Sequence, residues 1–218
     1  MSSKPLNLLH LSDTHGNYHH PKFNEPEKLA NSDVIIHSGD FTAKSDNWEE
    51  IHDFLNWFSN LPVKHKILVP GNHDRAFEVF QEKNTGRHQI PDNVHLLVDE
   101  SITLEGYRFY GSPYTPEFCN WAFQLYGAED SIEKWRKVPD NIDVLITHGP
   151  AYGILDTIQN AAGRVSVGCP YLLARIEKLH QLQVHLFGHI HEANGMTTLE
   201  KVLYSNAATT SHLIKISK

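Results

Sequence analysis

Short apolar runs alternate along this chain with stretches in which apolar residues recur every three to four positions. Asn7-Leu8-Leu9-His10-Leu11, Asp33-Val34-Ile35-Ile36-His37 and Lys66-Ile67-Leu68-Val69 read as strands buried on both faces. Between the second and third, Ile51, Phe54, Leu55 and Phe58 recur at helical spacing, with Asp46 or Asn47 as the cap. A short helix is expected over residues 76–83. Strand alternating with helix predicts an α/β layered fold.

The middle of the chain reads differently. Residues 94–98, 101–104 and 107–110 are short strands, and Glu105-Gly106 is a hairpin turn between the last two. Residues 111–123 form a loop rich in proline and aromatic rings, expected to pack on the body rather than line a pocket. A helix over residues 131–138 takes Ser131 as its cap. Asp143-Val144-Leu145-Ile146 and Val184-His185-Leu186-Phe187 are two more buried strands. Residues 161–169 read as an exposed loop, and Pro170 opens a helix that runs to residue 182. Two or three final strands are expected, over residues 196–199, 201–205 and 213–216. With no repeat, low-complexity tract or linker, residues 1–218 read as a single domain.

The polar residues at the ends of five of these runs change the picture. Asp13-Thr14-His15, Gly39-Asp40, Gly71-Asn72-His73-Asp74, His148-Gly149 and Gly188-His189-Ile190-His191 each close an apolar strand. Any one of them is an ordinary turn or helix cap. Together they place carboxylates, imidazoles and an amide where strands of an α/β sheet open, which is where such sheets carry their sites. Buried polar groups of this kind are costly unless something binds them.

Composition narrows the chemistry. Nineteen basic against 26 acidic residues give a formal charge of −7, which weighs against a nucleic-acid binder. Two cysteines without a CxxC pattern read as reduced and intracellular, and the cytoplasm is the expected location. The first seven residues have no secretory apolar region, and no run is long enough for a membrane helix. Sixteen histidines stand against two methionines. Seven candidate ligands without a thiolate exceed one tetrahedral ion and suit two divalent ions that share a carboxylate. The set favours Mn²⁺, Fe or Zn²⁺ over Ca²⁺ or a thiolate zinc site, with Mn²⁺ first.

The ordered set DxH, GD, GNHD, H, GHxH resembles the calcineurin-like metallophosphoesterases, and spans Asp13 to His191. Within that superfamily, His37-Ser38-Gly39-Asp40-Phe41 and Gly111-Ser112-Pro113-Tyr114-Thr115-Pro116 are similar to the small phosphodiesterases of the MPPED type. The resemblance implies a four-layer α/β/β/α sandwich with two mixed sheets. It implies that Asp13, His15 and His191 hold one metal and that Asn72, His148 and His189 hold the other. Asp40 then bridges them. His73 stands beside the substrate phosphate and assists the leaving group. The implied reaction is attack of a metal-bridging hydroxide on a small phosphate ester or nucleotide.

Three other readings compete. A phosphomonoesterase or protein phosphatase shares the fold, but the GDxxDRG and GNHE forms typical of serine/threonine phosphatases are absent. A nuclease lacks its basic patch. A non-catalytic scaffold, such as the retromer subunit of this superfamily, is expected to lose ligands, and none is lost here. Around the site, Asp74 reads as a helix cap, with orienting a neighbour as the alternative, and Arg75 as a surface residue. His10 and His37 read as satisfied core histidines, with support of a ligand possible for His37. Cys119 reads as a packed thiol. His19, His20, His52, His65, His88, His95, His180, His185 and His212 read as structural or solvent-facing.

Overall fold

The computed structural model describes residues 4–43, 48–83, 89–161 and 163–218. Four parallel strands, β1 (Leu6–Leu11), β2 (Val34–His37), β3 (His65–Leu68) and β4 (Val94–Leu96), make most of one sheet. β15 (Ser211–Ile216) closes it, antiparallel to β1. A second sheet holds, in order, β13 (Gly195–Leu199), β14 (Val202–Asn206), β12 (Val184–Phe187), β9 (Val144–Thr147), β6 (Tyr107–Ser112) and β5 (Glu100–Leu104). Its four inner strands are parallel and its two edges antiparallel.

The period of two along each strand sorts its side chains between layers. Leu8, Ile36 and Ile67 of the first sheet meet Phe109, Ile146 and Leu186 of the second in the core between the sheets. Their neighbours Leu9, Ile35 and Leu68 face outward onto α2 (Trp48–Asn60), whose Ile51, Phe54, Leu55 and Phe58 are buried. On the far side, Leu145 and Phe187 pack against α4 (Gly127–Arg136) and α5 (Pro170–Ile176). Both faces of both sheets are covered, which is why the strands read as unbroken apolar runs. The expected α/β/β/α sandwich with two mixed sheets is the observed one.

Local expectations fare unevenly. The Glu105-Gly106 turn is present, with φ of 50° and 82°, the doubly left-handed conformation of a tight hairpin. The proposed cap of α2, Asp46 or Asn47, lies outside the described residues. Ser131 does not cap α4. Gly127, at φ 81°, turns the chain four residues earlier, and the Ser131 hydroxyl donates back to its carbonyl over 2.7 Å. α5 begins at Pro170 as expected, but ends at Ile176 rather than residue 182. Residues 161–169 are not simply a loop. β11 (Gly163–Ser166) pairs antiparallel with β10 (Thr157–Asn160). That hairpin was hidden because its residues are mostly polar and it packs little core.

The aromatic segment 111–123 is fastened in place by its own short sheet. β7 (Thr115–Pro116) pairs parallel with β8 (Gln124–Leu125). Ala122 and Phe123 are buried, as packing requires. The segment also reaches the turn after β3, where the Ala122 N–H donates to the Asn72 carbonyl over 3.2 Å. No described helix is long and apolar enough to cross a membrane.

Candidate metal centre

The carboxyl ends of β1, β2 and β3 in one sheet and of β9 and β12 in the other open at the same edge of the sandwich. Asp13, His15, Asp40, Asn72, His73, His148, His189 and His191 all lie on the turns after these strands. The backbone there is unusual. Asp13 (φ 53°), His15 (φ 44°), Asp40 (φ 54°) and His189 (φ 70°) adopt the left-handed conformation that L side chains avoid. Each costs about 1–3 kcal/mol, and such strain persists where the surroundings enforce it. Close approach makes further demands. A Cβ on Gly188 would collide with Ser12 Oγ and Asp13 Oδ2, and one on Gly71 with the Asp40 carboxylate.

Three groups of donors converge, each with its atoms within 4.8 Å of one another. The first is Asp13, His15 and His191, one of the expected metal sets. His191 Nε2 lies 3.2 Å from Asp13 Oδ1 and 3.2 Å from His15 Nε2. The second is Asp40, His148 and His189. Asn72 joins it, with Oδ1 2.8 Å from His148 Nε2. The third is His15, Asp40 and His73. Asp40 Oδ2 therefore lies between the sets, 3.3 Å from His148 Nε2 and 4.0 Å from His15 Nε2. His73 Nε2 is 3.9 Å from the same oxygen, so the geometry alone also admits His73 as a donor.

Proton positions are set by the outer partners. His148 Nδ1 faces the Ser38 carbonyl at 2.9 Å, which can only accept, so that nitrogen carries a proton. His73 Nδ1 faces the Ala43 carbonyl at 2.8 Å in the same way. Both rings thereby aim Nε2 inward, the second partner fixing the tautomer as it does for metal-binding imidazoles. Behind them lies a buried polar lattice. His10 bridges the Ser205 and Ser38 hydroxyls at 2.9 Å each. His37 Nδ1 accepts from the Gly39 N–H, and His37 Nε2 meets Thr14 Oγ1 at 3.1 Å. These two are satisfied core histidines, and His37 also steadies the Asp40 turn.

Electrostatics shows a site that calls for positive charge. Asp13 and Asp40 are each only 2% exposed. Burial raises both carboxyls, yet the neighbouring imidazoles outweigh it and hold both below the usual carboxylate range. Burial lowers His148, but Asp40, Asp13 and the Ser38 carbonyl bring it up to about 9. His189 goes the other way, down to about 4, through burial and the charge on His148. Protonated imidazole thus compensates the buried carboxylates, a task that divalent cations perform more fully. Carboxylate, imidazole and amide donors without a thiolate fit Mn²⁺, Fe or Zn²⁺.

Three findings depart from the sequence reading. Asp74 is a strut beneath the site rather than a helix cap. Its Oδ2 accepts the N–H groups of Asp40 (2.9 Å) and Gly71 (2.7 Å), and its Oδ1 accepts the Thr42 N–H (3.0 Å). Burial and the charge of Asp40 push its carboxyl up to about 7, even with these donors. Trp121 of the aromatic segment stacks on His73, so that segment reaches the site as well as packing. Cys119 is exposed rather than packed, and Cys169 is buried and accepts from the Leu172 N–H that opens α5. Arg75 is exposed at the start of α3 (Arg75–Lys83), as expected. Thr42 lies two residues after Asp40 and Trp121 lies within the aromatic segment, but neither has a ligand's chemistry.

The comparisons with known proteins agree with this geometry. The family model for calcineurin-like phosphoesterases matches residues 6–193. The chain is 34% identical to the human "Metallophosphoesterase domain-containing protein 1", over 91% of this chain and 64% of that protein. It thus spans a little under two-thirds of that relative's length. It is also 34% identical to the Caenorhabditis elegans "UPF0046 protein K07C11.7", covering 93% of this chain and 69% of that one. Among solved structures, TT1561 of Thermus thermophilus superposes with a TM-score of 0.67 at 15% identity, covering 94% of this chain and 90% of the other. The chain belongs to the calcineurin-like phosphoesterase family, a family of phosphoester hydrolases.

Proposed function

We propose that this chain is a dinuclear metal-dependent phosphodiesterase acting on small phosphate esters or nucleotides. The observation that carries this reading is the position of Asp40, one carboxylate oxygen shared between two sets of donors. In this reading Asp13, His15 and His191 hold one ion, and Asn72, His148 and His189 the other. Two divalent ions there, Mn²⁺ by preference, supply Lewis acidity and lower the pKa of bound water.

The chain's own residues do the rest. Ser38 and Ala43 carbonyls hold His148 and His73 with Nε2 turned inward. His73 keeps its Nδ1–H on the Ala43 carbonyl, so it acts as a proton donor in its imidazolium form, passing the Nε2 proton to the leaving oxygen and returning to the Nδ1–H tautomer. Trp121 covers one face of that ring. Asp74 holds the backbone on both sides of the shared carboxylate. The substrate is small, and neither a nucleic acid nor a membrane is a partner in this reading. Residues 1–218 act as one metallophosphoesterase domain, and two free thiols fit a reducing cytoplasm.

The test compares bis-p-nitrophenyl phosphate with p-nitrophenyl phosphate after the protein is stripped and refilled with Mn²⁺. Asp40→Asn is the control. Faster turnover of the diester, abolished in the variant, is the expected result. Faster turnover of the monoester points to a phosphatase. No turnover of either, with metal bound, overturns the enzymatic reading.

A further inference from the structure

A cleft of about 510 Å³ opens directly beside the metal centre and shares His189 with it, together with Gly149, which comes just after His148. Its outer walls come from two segments that the proposed chemistry does not use. One is the end of β7 with Glu117 and Phe118 after it. The other is the β10–β11 hairpin, which packs against the 191–193 turn. Pro116, Phe118, Ile158 and Val167 make these walls apolar, and Glu117 and Glu192 stand as carboxylates among them.

The walls are built rather than incidental. Phe118 is 58% exposed, a large ring left in water. Its backbone is nevertheless fixed, because its N–H donates to Gln124 Oε1 and the Glu117 N–H donates to the Leu125 carbonyl over 3.2 Å. The base of the hairpin is pinned by buried Asp156, whose Oδ2 accepts from Gly153 (2.8 Å) and Gly168 (2.9 Å). An apolar ring left in solvent on a fixed backbone beside a reactive centre gains free energy when a ligand covers it.

His189 lines the cleft, and His73 does not. Two ester positions on a phosphorus at the metals therefore face different surroundings. One lies beside His73, where a proton is delivered, and the other opens past His189 into the cleft. We infer that the cleft binds the ester substituent that stays on phosphorus, and that this substituent is an uncharged, ring-bearing group. This rests on the phosphodiesterase reading in one respect, since a monoester has no second substituent to place there. The apolar walls take the face of the ring. Glu117 and Glu192 accept hydrogen bonds from its hydroxyl or amino groups, and they repel a group that carries a second negative charge. Polynucleotides and pyrophosphate-linked substrates are disfavoured on that account.

The experiment uses non-hydrolysable probes, so that its outcome does not depend on turnover. Binding of methylphosphonate, benzylphosphonate and 4-carboxybenzylphosphonate to the full Mn²⁺-loaded chain is measured by calorimetry. Benzylphosphonate is expected to bind at least about tenfold more tightly than methylphosphonate, the discrimination available to an apolar pocket. The added carboxylate should cancel that advantage. Phe118→Ala should bring the benzyl-to-methyl ratio towards one. Glu117→Gln combined with Glu192→Gln should restore the carboxybenzyl probe. Equal binding of benzyl- and methylphosphonate, or a preference untouched by Phe118→Ala, overturns the assignment. If the benzyl preference and its Phe118 dependence hold while no diester is hydrolysed, the cleft stands as a site for a ring-bearing substituent, and the assignment of that substituent as the one that stays on phosphorus falls with the diesterase reading.

Discussion

The imidazole of His73 and the indole of Trp121 lie face to face, with ring centroids 4.3 Å apart and planes 15° apart. The other side of the site holds His73 too: His15 meets it edge-on at 4.7 Å, and the Ala43 carbonyl takes its Nδ1–H. The ring is thus clamped on a face, an edge and a corner, leaving Nε2 as its working atom. Trp121→Ala removes the face support and leaves every proposed ligand in place. Turnover of bis-p-nitrophenyl phosphate should fall between about tenfold and a hundredfold, the cost of slightly misplacing a reacting group. Metal content by elemental analysis should not change. Loss of an ion in this variant would mean that the indole holds the site together rather than orienting one ring.

His73 stands in a donor group with His15 and Asp40, so ligand and proton donor are both geometrically open to it. Its Nε2 lies 3.9 Å from Asp40 Oδ2, however, against 3.3 Å for His148. We expect His73→Ala to keep two ions per chain and to lose about 10²–10⁴ in turnover, the usual share of a general acid. A drop to one ion would make His73 a ligand.

Asp74→Asn tests the strut. Three backbone N–H groups converge on the carboxylate, and an amide nitrogen in place of one oxygen would set donor against donor. The turns carrying Asp40 and Gly71 should loosen together. Mn²⁺ affinity should fall about 10–100-fold, as when other outer partners of metal ligands are removed. Titration of the stripped variant with Mn²⁺ measures this. An unchanged affinity would return Asp74 to the role of an ordinary turn residue.

The two layers of this site were legible to different degrees. Asp13, His15, Asp40, Asn72, His148, His189 and His191 could be read because each closes an apolar run. Polar chemistry at the end of a buried strand leaves a pattern in one dimension. Asp74 acts through backbone groups, most of them far off in the chain, and Trp121 acts through a ring on a distant turn. Such contacts leave no periodic trace. Asp74 in particular has the sequence appearance of a helix cap and the three-dimensional role of a strut. The layered α/β character was legible because both faces of each sheet are covered, whereas the pairing of two sheets in one sandwich was implied by the family resemblance. The β10–β11 hairpin was not, since its exposed, polar strands bury too little to show an alternation.

His185 supplies a prediction about stability. It is fully buried on β12, and its Nε2 meets Thr147 Oγ1 at 2.7 Å. That hydroxyl donates to the Gly149 carbonyl at 2.6 Å, so it accepts from His185 Nε2–H. Nδ1 is then a bare lone pair, and it has no hydrogen-bond partner. Burial lowers the folded pKa to about 3 from the ordinary 6.5. Below pH 6.5 the unfolded chain therefore takes up a proton that the folded chain refuses. The contribution of His185 is intact above that pH and is lost as the pH falls towards 3. For one such group the loss is about 2 kcal/mol between pH 7 and pH 5. His185→Gln keeps a donor towards Thr147 and removes the titration. Urea unfolding of the metal-free protein at pH 7, 6 and 5 should show the wild type losing about 2 kcal/mol more than the variant over that range. His10 and His37 titrate in both proteins and cancel in the difference. Parallel profiles would mean that His185 is hydrated or charged in the folded state, and that the Nε2–H assignment is wrong.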